Sequence, residues 1–222
     1  MRAPRGTLRT GRRPLADAVF DEIVTALLKG HFAPDEVLHE DDLMAWLGVT
    51  RTTLRTALEH LAERGFVHVD GPRRVRVAPA DPAALAYAWR VAFALHARAV
   101  SALLPEADDA TRAEFMEAIH RLRDHVERGE DHIEALKELM SFFTERHQNE
   151  VLRRASTELN ARLIFLARAM PARSRPETLL ELARRLELAT HDGDGAAAHQ
   201  AIDRFAAQAN ADRAAQTARP PA

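Results

Sequence analysis

Arginine and threonine side chains cluster in one short segment, Thr50-Arg51-Thr52-Thr53-Leu54-Arg55. At helical spacing, Arg51, Thr52 and Arg55 lie on the side opposite Leu54, so we expect them to face solvent. An arginine can donate two parallel hydrogen bonds to O6 and N7 of guanine, and a threonine hydroxyl can bond a phosphate or a base edge. The segment is therefore suited to reading duplex DNA. The alternative is that it is an ordinary solvated helix with arginines opposite its leucines.

The spacing of apolar residues predicts three helices around this segment. The first starts at Leu15 and stops at Gly30, and the second follows an acidic start and stops at Gly48. The third starts at Thr50, a residue type that caps helix N-termini. The segment 31–38 is interpreted as an irregular connection. The second and third helices are thus joined by a turn as short as Gly48-Val49.

A β-hairpin is predicted after the third helix, because the apolar period changes to two from Phe66 onward. Its tip holds Gly71, Arg73 and Arg74, whose two cations suit phosphates or a minor groove. The first 13 residues add five arginines and no acid, a basic arm. Three helices followed by a basic hairpin are the layout of a winged helix-turn-helix.

The remainder of the chain is predicted to be helical. Asp81-Pro82 is typical of a helix start, and six helices are expected near 82–104, 107–128, 131–147, 150–170, 176–191 and 194–215. The predicted fold class is mainly α, an N-terminal winged helix-turn-helix (three helices plus a β-hairpin) followed by an all-α helical bundle. The expected divisions are a basic arm at 1–14, a DNA-binding domain at 15–78, a linker at 79–82, an all-helical effector-binding and dimerisation domain at 83–215 and a disordered tail at 216–222.

Composition narrows the function further. Hydrophobic residues make up 46% of the chain and charged residues 29%, as in globular proteins. The absence of cysteine excludes disulfides and thiolate metal sites. No apolar run is long enough to span a bilayer and no apolar segment follows the first arginines, so we expect a cytoplasmic protein without membrane contact. We find no nucleophile beside a base, no phosphate loop and no paired-carboxylate site, so we do not expect an enzyme.

The sequence LGVTRTTLR at 47–55, followed by LAERGFV at 61–67, resembles the signature of the GntR family of bacterial regulators, in its fatty-acid-regulator (FCD-type) branch. The resemblance runs from Leu15 to Val77. It implies a DNA-binding transcriptional regulator, and we expect a repressor that binds a two-fold related operator as a homodimer, although the sequence does not distinguish repression from activation. The predicted DNA-contacting residues are Thr50, Arg51, Thr52, Thr53, Arg55, Gly71, Arg73 and Arg74.

One departure from the family concerns the start of the second helix. Asp41 stands where family members often carry a DNA-contacting arginine, and a carboxylate repels phosphate. We therefore expect no DNA contact from the second helix. The alternative function is a helical protein-interaction module that has lost specific DNA binding, and Asp41 gives it some support.

The C-terminal resemblance rests on QNEVL at 148–152 and on Gly193-Asp194. The branch commonly holds a divalent metal through aspartate and histidine ligands. The corresponding positions here are Leu139, Phe143, Ala183 and Phe205, none of which can bind a metal. We expect a metal-free domain without cofactor, whose cavity is filled by side chains or accepts an apolar small-molecule effector.

Two polar residues of the first bundle helix are further candidates for effector binding. Arg90 lies among aromatic and aliphatic residues, where the resemblance implies that it can meet an acidic effector. The alternatives are an ion pair with Glu138 or plain exposure. His96 is the histidine expected to face the cavity, and a hydrogen-bonded core histidine is the alternative.

Overall fold

The chain divides between Pro79 and Ala80 into two compact units. The structure, a computed structural model, describes residues 15–69, 74–169 and 174–217. Among these residues, no helix is long and apolar enough to cross a membrane.

Over residues 15–69 and 74–79, the N-terminal unit combines three helices with a small antiparallel sheet. In chain order its elements are α1 (Leu15–Leu28), β1 (Val37–Leu38), α2 (Glu40–Leu47), α3 (Arg51–Glu63), β2 (Val67–Val69) and β3 (Val75–Val77). Strand β3 lies between β1 and β2. The predicted helices and hairpin are confirmed, and together they form a winged helix-turn-helix.

The connection predicted at 31–38 is wrong at its end, because Val37 and Leu38 form strand β1. Val37 pairs with Arg76, and Leu38 pairs with Val75. A strand of two residues is too short for an alternating pattern, so its sequence carried no signal.

Burial of its apolar face fixes α3 within this unit. Leu54, Ala57, Leu58 and Leu61 are buried, and α3 packs against α1. Full burial of one leucine side chain contributes roughly 1.5–3 kcal/mol. The polar side of α3 is thereby turned away from the core.

The described residues of the C-terminal unit form six helices joined by short loops, with no strand. They are α4 (Pro82–Leu103), α5 (Asp109–Glu127), α6 (Ile133–Arg146), α7 (Glu150–Ala169), α8 (Pro176–Asp192) and α9 (Gly195–Thr217). The six predicted helices are confirmed. Asp81 caps α4 through a 2.9 Å hydrogen bond that Ala83 N donates to its carboxylate, and Pro82 follows as the first helical residue. Helix α9 ends two residues inside the predicted tail.

Helix α4 lies at the centre of this bundle and packs against α6, α7 and α9. Phe93 of α4 contacts Trp89 at 4.4 Å and Phe205 of α9 at 5.4 Å between ring centroids. The end of α4 and the start of α9 approach closely, since a Cβ built on Gly195 would lie 2.5 Å from Ser101 O. Aromatic packing and this close approach hold α9 against α4.

Candidate functional site

The N-cap and the first two turns of α3 carry the arginines and threonines singled out in the sequence. Thr50 caps the helix, because its Oγ1 accepts a 3.4 Å hydrogen bond from Thr53 N and lies 3.0 Å from Thr53 Oγ1. Arg51, Thr52 and Arg55 are exposed. The structure thus brings these five residues together on the N-cap and the first two turns of α3, and it presents three of them to solvent.

A tight turn at Gly48 positions this surface relative to α2. Gly48 has φ +66°, a left-handed conformation that glycine adopts without strain, and its N–H donates to Met44 O at 2.9 Å. The chain then reverses within two residues, and α2 packs against α3. The acidic start of α2 consequently meets the arginines of α3.

Glu40 and Asp41 form ion pairs with both arginines. The Nη2 of Arg51 donates to Asp41 Oδ1 at 2.6 Å, and its Nε lies 3.7 Å from Glu40 Oε2. The Nε of Arg55 donates to Glu40 Oε1 at 3.3 Å. Sequence reasoning missed these pairs and treated Asp41 only as an obstacle to phosphate. The available signal was the acidic run at 40–42 ahead of a short turn.

The two acids differ in their access to water. The side chain of Glu40 is 13% exposed and lies between the two arginines, whereas that of Asp41 is 80% exposed. Water screens the Asp41 pair, so its contribution to stability is about 0–1 kcal/mol. Glu40 is therefore a largely buried partner of both arginines, whereas Asp41 is a solvent-exposed partner of Arg51.

The predicted wing is described only in part. Arg74 is exposed at the entry to β3, and Arg76 Nη1 donates to Asp35 O at 2.8 Å. Gly71 and Arg73 lie outside the described residues, as does the basic arm at 1–14. Arg74 can thus reach solvent beside the hairpin.

In the helical unit, the side chain of His96 on α4 is buried, and one of its two ring nitrogens forms a hydrogen bond. Its side chain is 2% exposed, and burial lowers its pKa to about 4 despite the opposing hydrogen bond with Asn160. Its Nε2 lies 3.1 Å from Asn160 Oδ1. An amide oxygen can only accept, so Nε2 carries the proton of the neutral ring and Nδ1 is an acceptor. Within the described part of the chain, Nδ1 has no hydrogen-bond partner.

His96 lines a cavity of about 60 Å³ whose lining comes mostly from α4, α6 and α7. Most of the lining is apolar, including Trp89, Leu136 and Ile164, and its polar members besides His96 are His132, Lys137, Asn160 and Ser174. The cavity is small and mostly apolar, and one of its lining residues, His96, carries the Nδ1 acceptor without a hydrogen-bond partner among the described residues.

Arg90 does not belong to this cavity. It is exposed on α4, with its guanidinium carbon 5.8 Å from the centre of the Tyr87 ring. Glu138, its suggested partner, instead pairs with Arg121 at 3.6 Å. Arg90 is thus exposed, as one of the alternatives expected, and its contact with an acidic effector stays a prediction.

The four positions aligned with metal ligands, Leu139, Phe143, Ala183 and Phe205, are all buried. None of them lines the cavity beside His96. Phe143 packs on Phe115 at 4.8 Å and Phe205 on Phe93. These side chains offer no donor atoms, and no three histidine, aspartate or glutamate residues gather as ligands within 15–69, 74–169 and 174–217. They do not fit the metal that the resemblance implies.

Known proteins resemble the chain in both family and fold. Residues 15–77 match the family described as bacterial regulatory proteins, gntR family. No curated protein gives a match. The structure of E. coli McbR/YncC is similar, with 21% identity over 93% of this chain and 100% of that chain and a TM-score of 0.70.

A second similar structure is a GntR-type transcriptional regulator from Rhodococcus sp. RHA1, with 21% identity, the same coverage of both chains and a TM-score of 0.69. At these identities the likeness shows the fold alone. The family of residues 15–77 follows from the sequence match alone. The chain therefore carries, at residues 15–77, the DNA-binding winged helix-turn-helix of the GntR family of bacterial regulatory proteins.

Proposed function

We propose that the chain is a homodimeric transcriptional repressor that binds a two-fold related DNA operator through α3. The observation that carries this proposal is the outward placement of Arg51, Thr52 and Arg55 on the first two turns of a capped helix. In helix-turn-helix proteins this part of the recognition helix enters the major groove. The matched family is one of regulators rather than enzymes.

The exposed arginines and the threonine of α3 make different contacts with DNA in the proposed complex. Arg51 and Arg55 donate hydrogen bonds to guanine O6 and N7, and Thr52 contacts a phosphate, a base edge or a thymine methyl group. Arg74, with the remainder of the wing, contacts phosphates beside the groove. Two copies related by a two-fold axis then read two half-sites of opposite orientation.

In this proposal the helical unit forms the dimer interface and binds the effector. Tyr87 and Val91, one turn apart on α4, are exposed large apolar side chains of the kind that an association surface covers. An effector in the cavity would be small and largely apolar, with a hydrogen-bond donor for Nδ1 of His96. Its differential affinity for two arrangements of the dimer would shift operator binding.

The proposed domain works without a metal. Leu139, Phe143, Ala183 and Phe205 replace ligands by apolar packing, which supports this proposal. Elemental analysis of protein purified without added metal should find far less than one equivalent per chain. Near one equivalent of tightly held zinc, nickel or manganese would contradict it.

Selection of bound fragments from the source genome by the full-length protein tests the regulatory function. We expect the enriched fragments to share an inverted repeat, and the affinity for it to fall steeply with salt as counterions are released. A protein-interaction module would enrich no sequence and would show no affinity for DNA. That outcome would overturn the proposal.

A further inference from the structure

We propose that Asp41 is a specificity-determining residue, an inference that rests on the proposed function. Its carboxylate holds one edge of the Arg51 guanidinium, so that the other edge faces guanine. Its negative charge also disfavours the phosphate contacts by which any duplex could bind. Asp41 thus increases the preference for operator over random DNA.

The geometry of the guanidinium carries the first step. A guanidinium offers one pair of parallel donors from Nε and Nη2 and a second pair from Nη1 and Nη2. In Arg51, Asp41 accepts from Nη2 at 2.6 Å and Glu40 lies 3.7 Å from Nε, so the acids cover the first pair. The second pair remains for the two acceptors of guanine.

Glu40 supplies the second step, because it limits how Arg51 can move. Its sheltered carboxylate contacts Nε of Arg51 and Nε of Arg55, which anchors both side chains near their stems. With Asp41 at Nη2, the plane of the Arg51 guanidinium is held at two points. Less side-chain freedom is then lost when Arg51 binds a base.

Exposure supplies the third step. The side chain of Asp41 is 80% exposed and lies beside the first turn of α3, where the proposed function places the DNA. Binding to random sequence depends mainly on phosphate contacts, whereas binding to operator adds base contacts. Repulsion by Asp41 therefore weakens random binding more than operator binding.

The test compares Asp41→Asn with Asp42→Asn in the full-length protein. Both substitutions remove one charge from the exposed start of α2, but no ion pair or side-chain hydrogen bond of Asp42 is found among the described residues. Affinities are measured at one salt concentration for the selected operator and for a random duplex of equal length. We expect Asp41→Asn to lower the ratio of the two affinities about threefold to tenfold, mainly by weaker operator binding once Nη2 of Arg51 is no longer held, with a smaller contribution from tighter random binding. Asp42→Asn removes only the charge and should lower the ratio much less.

A second pair of variants separates the hold on Arg51 from simple charge. In an Arg51→Ala background, Asp41→Asn should have much less effect on the ratio. Equal ratios for Asp41→Asn and Asp42→Asn, or an undiminished effect without Arg51, would overturn the role of Asp41 while leaving the regulator intact. If Asp41→Asn instead tightened operator binding more than random binding, Asp41 would be a competitor of DNA for Arg51, and the proposal would also be overturned. No duplex binding by the wild-type protein would overturn the proposed function itself.

Discussion

The two units of the chain place their distinctive polar side chains in opposite environments. In the N-terminal unit, Arg51 and Arg55 lie in water and pair with acids of a neighbouring helix. In the helical unit, His96 is buried, and burial lowers its pKa to about 4. Substitutions of Arg51 or Arg55 should change DNA binding with little effect on the free energy of unfolding. A change of the protonation state of His96 should alter that free energy directly.

The largest expected effect is the pH dependence caused by His96. In the unfolded chain this histidine titrates near pH 6.5, but in the folded chain it titrates at about pH 4. As the pH falls through this interval, only the unfolded chain takes up the proton, so the free energy of unfolding decreases. The loss is about 2 kcal/mol at pH 5, and the contribution is fully present above pH 6.5.

Urea unfolding of the wild-type protein and of His96→Gln at pH 7 and pH 5 measures this loss. The variant should lose about 2 kcal/mol less than the wild type between the two pH values. An NMR titration of the His96 ring in the wild-type protein gives an independent check. A ring that titrates near pH 6.5 would contradict the assignment of His96 as a neutral, buried group.

A smaller effect is expected from Gly48→Ala, with Gly129→Ala as its matched control. Both glycines have nearly equal positive φ, +66° and +67°, and a Cβ on either meets nothing within 4 Å. Each substitution should therefore lower the free energy of unfolding by about 1 kcal/mol through backbone strain alone. Because Gly48 sets the turn between α2 and α3, only Gly48→Ala should also weaken operator binding. Equal operator affinities for the two variants would show that this turn does not position the reading surface.

Much of the fold was predictable, because long helices repeat their apolar pattern over several turns and end at recognisable residues such as Gly48 and Gly193. Strand β1 was not, because its two residues owe their conformation to pairing with β3. Local pattern therefore indicated the elements whose apolar residues repeat along the chain and missed the one that depends on a distant strand.

In the candidate sites, too, features set by local spacing could be predicted and features set by contacts between distant segments could not. The outward placement of Arg51 follows from its spacing to Leu54, so the reading surface could be predicted. Its pairing with Asp41 depends on how α2 packs against α3. The cavity beside His96 joins three helices that are distant in sequence, and the exposure of Arg90 depends on which face of α4 the bundle covers.

The most direct test of the DNA-reading role compares the affinities of the wild-type protein and Arg51→Ala for operator and random duplexes. Arg128→Ala serves as the control, because it removes the same charge from an exposed site in the helical unit. We expect Arg51→Ala to lose about 1–3 kcal/mol of binding free energy on the operator and much less on random DNA. An equal loss on both duplexes would show that Arg51 contacts only phosphate, and it would contradict the reading of bases by α3.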